Sequence, residues 1–234
     1  MIEIKNVTKK YGDKKALKDI TFNVEDGEIF AFIGHNGAGK TTLIKAITGI
    51  HDFDEGDILI NGKSIKTAPI ACKKEMAYVP DNPELYENMK AADFINFICD
   101  MYEVPQDVRE KNIKKYAQIF EIEQNLGDEI SSFSHGMKQK VALIAALAHD
   151  PKVLIMDEPF VGLDPKAVFD MKEVMKKMVK EGKTIFFSTH ILDVAEKLCT
   201  RVAIIKKGEL IKVGSMRAVK GDKSLEKIFL ELEK

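Results

Sequence analysis

The 234-residue sequence is poor in cysteine and arginine and has no long uncharged run, and each shortage removes a class of protein. Cys72, Cys99 and Cys199 stand far apart without any CxxC spacing, which argues against a zinc site and predicts buried, reduced thiols. The longest stretch free of Asp, Glu, Lys and Arg, residues 29–39, falls well short of the roughly 20 apolar residues that cross a bilayer. The opening residues alternate apolar and polar as a strand does and lack the apolar core of a secretory signal, so the chain is expected to stay in the cytosol. A basic excess is missing too. Thirty-six Lys and Arg oppose 37 Asp and Glu for a net charge of -1, which leaves no global field to hold nucleic acid.

What remains is 45% hydrophobic and 31% charged, enough for the core of one domain or one subdivided domain. Strand-like runs come first, at residues 2–7, 20–24, 28–33 and 58–65, the last bent at Asn61 and Gly62. From 89 to 149 the spacing turns helical, with Phe94, Phe97, Ile98 and Met101 on one face, then Ile113, Ala117 and Phe120, then Met137, Val141, Ile144 and Ala148. Strands return at 153–156, 184–188 and 202–213, the last folded at Lys207 and Gly208. A helix with Val168, Met171, Met175 and Met178 inward separates the first two, and its Lys-rich face at 172–183 reads as solvated. Leu225, Ile228, Phe229 and Leu232 form a closing stripe after Ser224, a plausible cap, so the tail is expected to dock. The pattern predicts an α/β fold: a sheet-bearing core with a β subdomain over 1–88 and 150–214, a helical insertion over 89–149, and a helical tail over 215–234.

Residues 34–41 read Gly34, His35, Asn36, Gly37, Ala38, Gly39, Lys40, Thr41: two glycines with four residues between them, then Lys and Thr, after a strand and before a helix. Such a loop lets backbone N–H groups cradle phosphates, and the helix starting at Lys40 aims its positive end at the same anion. Lys40 would reach the terminal phosphates and Thr41 a magnesium ion. The apolar run 153–156 ends at Asp157 and Glu158, at the strand end where ligands bind. Asp157 would reach magnesium, and Glu158 would orient or deprotonate the attacking water; a strand merely closed by a charged turn is the plainer alternative. His190 ends the next strand at the same edge, where it would donate to phosphate and hold Glu158 and water in register, although a lone His is often structural. None of the three arginines, Arg109, Arg201 and Arg217, falls in these motifs, so charge on the transferring phosphoryl group calls for a second protein surface. Ser134, ahead of His135, Gly136 and Met137, can cap a helix whose N–H groups favour phosphate, or be an ordinary cap.

In this order the motifs resemble the nucleotide-binding subunit of ATP-binding cassette transporters over nearly the whole chain, with a P-loop NTPase core. The signature from Phe133 to Lys140 is similar to the drug, peptide and ion export branch that works with separate permeases. The resemblance implies that Tyr11 stacks on adenine, although one loop aromatic is often just packing. It implies that Gly34, His35, Asn36, Gly37, Ala38, Gly39, Lys40, Thr41 and Thr42 bind the phosphates, that Thr41, Asp157 and Asp81 serve magnesium, and that Glu158 is the base with His190 as switch. Ser134, His135, Gly136 and Asp164 would meet the ATP held by an opposite copy, in a homodimer or with a paired ATPase subunit. ATP, Mg2+, a transmembrane permease and a place on the cytoplasmic face of the membrane follow from the same resemblance, and no nucleic acid is expected. Two departures stand out: Asp81, where the family most often has Gln, and His135 with Met137, where it commonly has Gly and Gln. Asp81 is expected to reach magnesium through water, and an active site is expected. The alternative is a soluble cassette acting as a mechanical switch in translation or DNA repair; a GTPase lacks its Asn-Lys-x-Asp element here.

Overall fold

A computed structural model of the chain describes residues 1–233. β1 (Ile2–Tyr11) and β2 (Lys14–Val24) form an antiparallel hairpin, and β3 (Ile29–Ile33) runs from there to the loop before α1 (Lys40–Ile47). β4 (Glu55–Ile60) and β5 (Lys63–Ser64) turn at Asn61 and Gly62, whose φ of 48° and 77° fit the turn read from the sequence. α2 (Pro69–Lys73) and β6 (Met76–Val79) lead to three longer helices, α3 (Ala91–Met101), α4 (Gln106–Ile119) and α5 (His135–Ala148). Then come β7 (Val153–Asp157), α6 (Pro165–Lys180), β8 (Thr184–Thr189) and α7 (Leu192–Leu198). β9 (Arg201–Lys206) and β10 (Glu209–Ser215) turn at Lys207 and Gly208, and α8 (Met216–Lys220) and α9 (Leu225–Glu233) close the described chain.

Two sheets result. The smaller, β2-β1-β4-β5, is antiparallel; the larger, β10-β9-β3-β8-β7-β6, is parallel apart from β10. β3 shows how one strand serves two cores, because successive side chains leave opposite faces. Phe30 and Phe32 enter a cluster with Phe22, Ile20 and Leu17 of β2 and Leu43 and Ile44 of α1, while Ile29, Ala31 and Ile33 join the helices on the other face. Phe22 lies flat on Phe30, with ring centroids 5.3 Å apart, and fastens the small sheet to the large one. The parallel order puts the ends of β3, β6, β7 and β8 along one edge, where an open α/β sheet presents its ligand site.

The expected strands and the three-helix region are present, and Met171, Met175 and Met178 of α6 point inward. The three cysteines are free and buried. One helix turns a different face inward from the one its spacing predicts. Phe97 and Met101 are exposed, and the buried side of α3 is Ala91, Phe94, Ile95 and Cys99. Phe97 instead meets Tyr86 edge-on at 5.8 Å on the surface, a contact that helical spacing alone does not reveal. β6 was not anticipated because its four residues sit inside a stretch without a clear period.

Candidate active site

The loop between β3 and α1 must be built from glycine where it touches its neighbours. A Cβ on Gly34 would lie 2.6 Å from the Ile205 carbonyl oxygen, and one on Gly39, whose φ is 116°, 2.8 Å from that of Ala16. Lys40 is buried at the start of α1, and its Nζ donates to the carbonyls of Gly34 at 2.7 Å and His35 at 3.3 Å. The loop thus wraps its own ammonium, which also stands 3.2 Å from Glu158 Oε1.

β7 and β8 supply the opposite wall. Asp157 is buried between two hydroxyls: Thr41 Oγ1 donates to its Oδ2 at 2.6 Å and Ser188 Oγ donates to its Oδ1. Ser188 Oγ also accepts the Glu158 N–H at 3.1 Å, so one serine ties both acidic residues to the next strand. Glu158 adopts φ 47°, an unusual conformation for a residue with a side chain, and its carboxylate is turned across the sheet edge. Its Oε2 accepts the His190 N–H at 3.1 Å and lies 2.9 Å from His190 Nδ1, which must therefore carry the proton. Its buried Oε1 takes no directed hydrogen bond, an acceptor held open beside Lys40.

Asp81 follows β6 at the mouth of the cleft. Partial burial, together with the charges of Asp157 and Glu158, pushes its carboxyl up from the usual range, against the opposing pull of His135 and His190. A cleft of about 820 Å³ reaches from Asp157, Glu158 and Asp81 past Lys40, Thr41 and Thr42 to Tyr11. Tyr11 is half exposed, with its hydroxyl 3.1 Å from His51 Nδ1.

The signature residues are placed elsewhere. Ser134 caps α5, accepting the Met137 N–H at 3.3 Å. His135 packs on Gly162, where a Cβ would lie 2.5 Å from His135 Cδ2. Asp164 caps α6 through the Ala167 N–H at 2.8 Å and pairs with Lys140 at 3.0 Å. Among the described residues none of Ser134, His135, Gly136 and Asp164 lines the cleft of its own chain. No arginine lines it either; Arg109 binds the Val104 carbonyl and Asp100, and Arg201 pairs with Glu28.

Several cleft residues escaped the sequence reading. Lys14, Lys15 and Lys18 of β2 and Lys207 and Gly208 of the β9–β10 turn form its outer rim. Gly208 N–H donates to the Ala38 carbonyl at 2.9 Å and its carbonyl accepts the Lys18 N–H at 2.8 Å, so the turn holds the small sheet against the phosphate loop. The Lys-Gly pair was visible only as a turn. Ser188 was missed as well, one of three hydroxyl residues in the strand Thr184–Thr189 that the sequence does not tell apart.

Backbone amides at a helix start, a buried lysine, two strand-end acidic residues and a histidine on one of them define a nucleoside triphosphatase of the phosphate-loop class. The sequence profile described as ABC transporter matches residues 17–161. The ABC-type transporter ATP-binding protein EcsA of Bacillus subtilis (strain 168) is 34% identical over 239 residues, covering 100% of this chain and 97% of EcsA. A solved ATP-binding subunit of an ABC transporter superposes with a TM-score of 0.96 at 34% identity, with full coverage of both chains. A dimeric post-hydrolysis state of the ATP-binding cassette MJ0796, bound to ADP and Pi, gives 0.85 at 26% identity, over 93% of this chain and 99% of that one. The chain belongs to the ABC transporter family, as an ATP-binding subunit with ATPase activity.

Proposed function

We propose that two copies of this chain, or one copy and a paired ATPase subunit, clasp two ATP molecules head to tail, each held by the cleft of one and covered by the signature surface of the other. The observation that carries this reading is the division of the motifs: Lys40, Thr41, Asp157 and Glu158 line one cleft, with His190 bonded to Glu158, whereas Ser134, His135, Gly136 and Asp164 do not line it. Tyr11 stacks on the adenine, residues 34–42 bind the phosphates, and Glu158 takes a proton from water while His190 Nδ1–H holds its carboxylate in place.

Thr41, Asp157 and Asp81 offer only oxygen donors, a hydroxyl and carboxylates, which suit magnesium. Among the described residues no group of three or more His, Cys, Asp or Glu would cage a metal unaided, as fits an ion completed by phosphate oxygens and water. Bound there, magnesium would neutralise charge on the phosphate oxygens. Thr41 Oγ1 and Asp157 Oδ2, 2.6 Å apart, would hold it.

Closing and reopening of the pair would drive a separate membrane permease from the cytoplasmic face; no described helix is long and apolar enough to cross a membrane itself. The division into a core with its β subdomain, a helical insertion and a tail belongs to the same proposal, as does placement in the export branch, supported by the signature from Phe133 to Lys140. The family match favours this over a soluble switch in translation or DNA repair. Glu158→Gln tests the reading: hydrolysis should fall by about 10² to 10⁴ while ATP still binds and dimers accumulate on gel filtration. Turnover equal to that of the parent would refute it.

A further inference from the structure

The last helix reaches the phosphate loop. Phe229 of α9 is buried, and its ring meets the His35 ring edge-on, with centroids 4.7 Å apart and planes at 63°. His35 is no passive surface residue. Its carbonyl accepts the Ala38 N–H at 3.1 Å and Lys40 Nζ at 3.3 Å, so the position of residue 35 shapes both the loop's curve and the lysine it wraps.

α9 is anchored well enough to act as a brace. Leu225 is fully buried, its N–H donates to Glu196 Oε2 at 2.8 Å, and Glu196 also pairs with Lys220. Lys206 Nζ donates to the Leu232 carbonyl at 2.8 Å, holding the far end of α9 to β9. The helix packs on α7 and α8, and α7 begins just after His190. One rigid element therefore links the segment after β8 to the loop after β3.

We infer that Phe229 is a positioning residue for nucleotide binding, holding His35 so that the phosphate loop is already curved when ATP arrives; this rests on the ATP-binding reading above. Losing the ring would leave the loop to be ordered at the expense of affinity, as with any site deprived of preorganisation. One aromatic pair accounts for an effect of about three- to tenfold.

The test is calorimetric titration of the full chain with Mg-ATP. Phe229→Ala should weaken binding by about three- to tenfold, and Phe229→Tyr, which keeps the ring, should stay within about twofold of the parent. Ile228→Ala, an apolar truncation on the same helix, should lower the melting temperature without weakening binding. In a His35→Ala background Phe229→Ala should cost nothing further. Should the alanine variant not fold, Phe229→Leu, which keeps volume without a ring, carries the same expectation. The inference is overturned if the Phe229 variant binds as Ile228→Ala does, or if its loss is undiminished in the His35→Ala background. A parent chain that does not bind Mg-ATP would sink the ATP reading itself, and this inference with it.

Discussion

At the start of α1 the charged groups of Lys40, Asp157 and Glu158 are buried and answered from within the chain: Lys40 by Glu158, Asp157 by Thr41, Glu158 by the exposed ring of His190. At the starts of α5 and α6 the polar residues face outward: Ser134, His135 and Asp164 are exposed, and the caps made by Ser134 and Asp164, the packing of His135 on Gly162 and the Lys140–Asp164 pair hold that surface in shape. The first region is preorganised by contacts inside one chain. The second is an outer face at a helix start that lines no part of the cleft, as the proposed head-to-tail pair requires.

The comparison breaks or holds on a mixing experiment. Ser134→Arg spoils the outward surface and Lys40→Ala the cleft, so each variant alone should lose hydrolysis by at least about 10². Mixed in equal amounts, random pairing gives heterodimers with one intact site each, restoring about a quarter of the parent's sites. An inactive mixture would show that the two regions do not meet across a dimer.

A smaller effect tests the shape of the outer face. Gly162 has φ 78° and leaves no room beside His135, so Gly162→Ala should lower hydrolysis by about tenfold through strain and overlap. Adding His135→Gly removes the overlap but not the backbone strain and should recover part of that loss. Equal activity in the single and double variants would separate the two loops that the structure joins.

The smallest effect concerns the other end of α5, where the His149 ring stacks on Tyr102 at 3.7 Å. Burial pushes its pKa down from 6.5 to about 4. The unfolded chain therefore binds a proton that the folded one refuses between those values, and stability falls as pH drops from about 6.5 towards 4. His149→Phe should flatten this slope, narrowing the stability gap between pH 7 and pH 5 by roughly 1–2 kcal/mol in urea unfolding. An unchanged slope would mean that the imidazole takes up its proton in place.

How much was legible in the sequence depended on contiguity. The phosphate loop and the Asp157–Glu158 pair announce themselves because their chemistry needs neighbouring residues in one short stretch. Ser188, which ties both acidic residues to β8, and Gly208, pinned between the small sheet and Ala38, act only across the fold and carry no local pattern. The face that α3 buries has the same root. Phe97 fits the helical period but lies on a face that the rest of the protein leaves uncovered, and periodicity describes a stripe without saying what covers it. Likewise the stripe of α9 predicted docking but not its target at His35.

Glu158 sits in left-handed backbone geometry, with its carboxylate swung across the sheet edge. Asn, Asp and Gly tolerate that geometry better than Glu does. Directed evolution that rewards only heat resistance should therefore drift at this position towards durable proteins that no longer turn over, and breeding a robust working version requires selecting for throughput in every round.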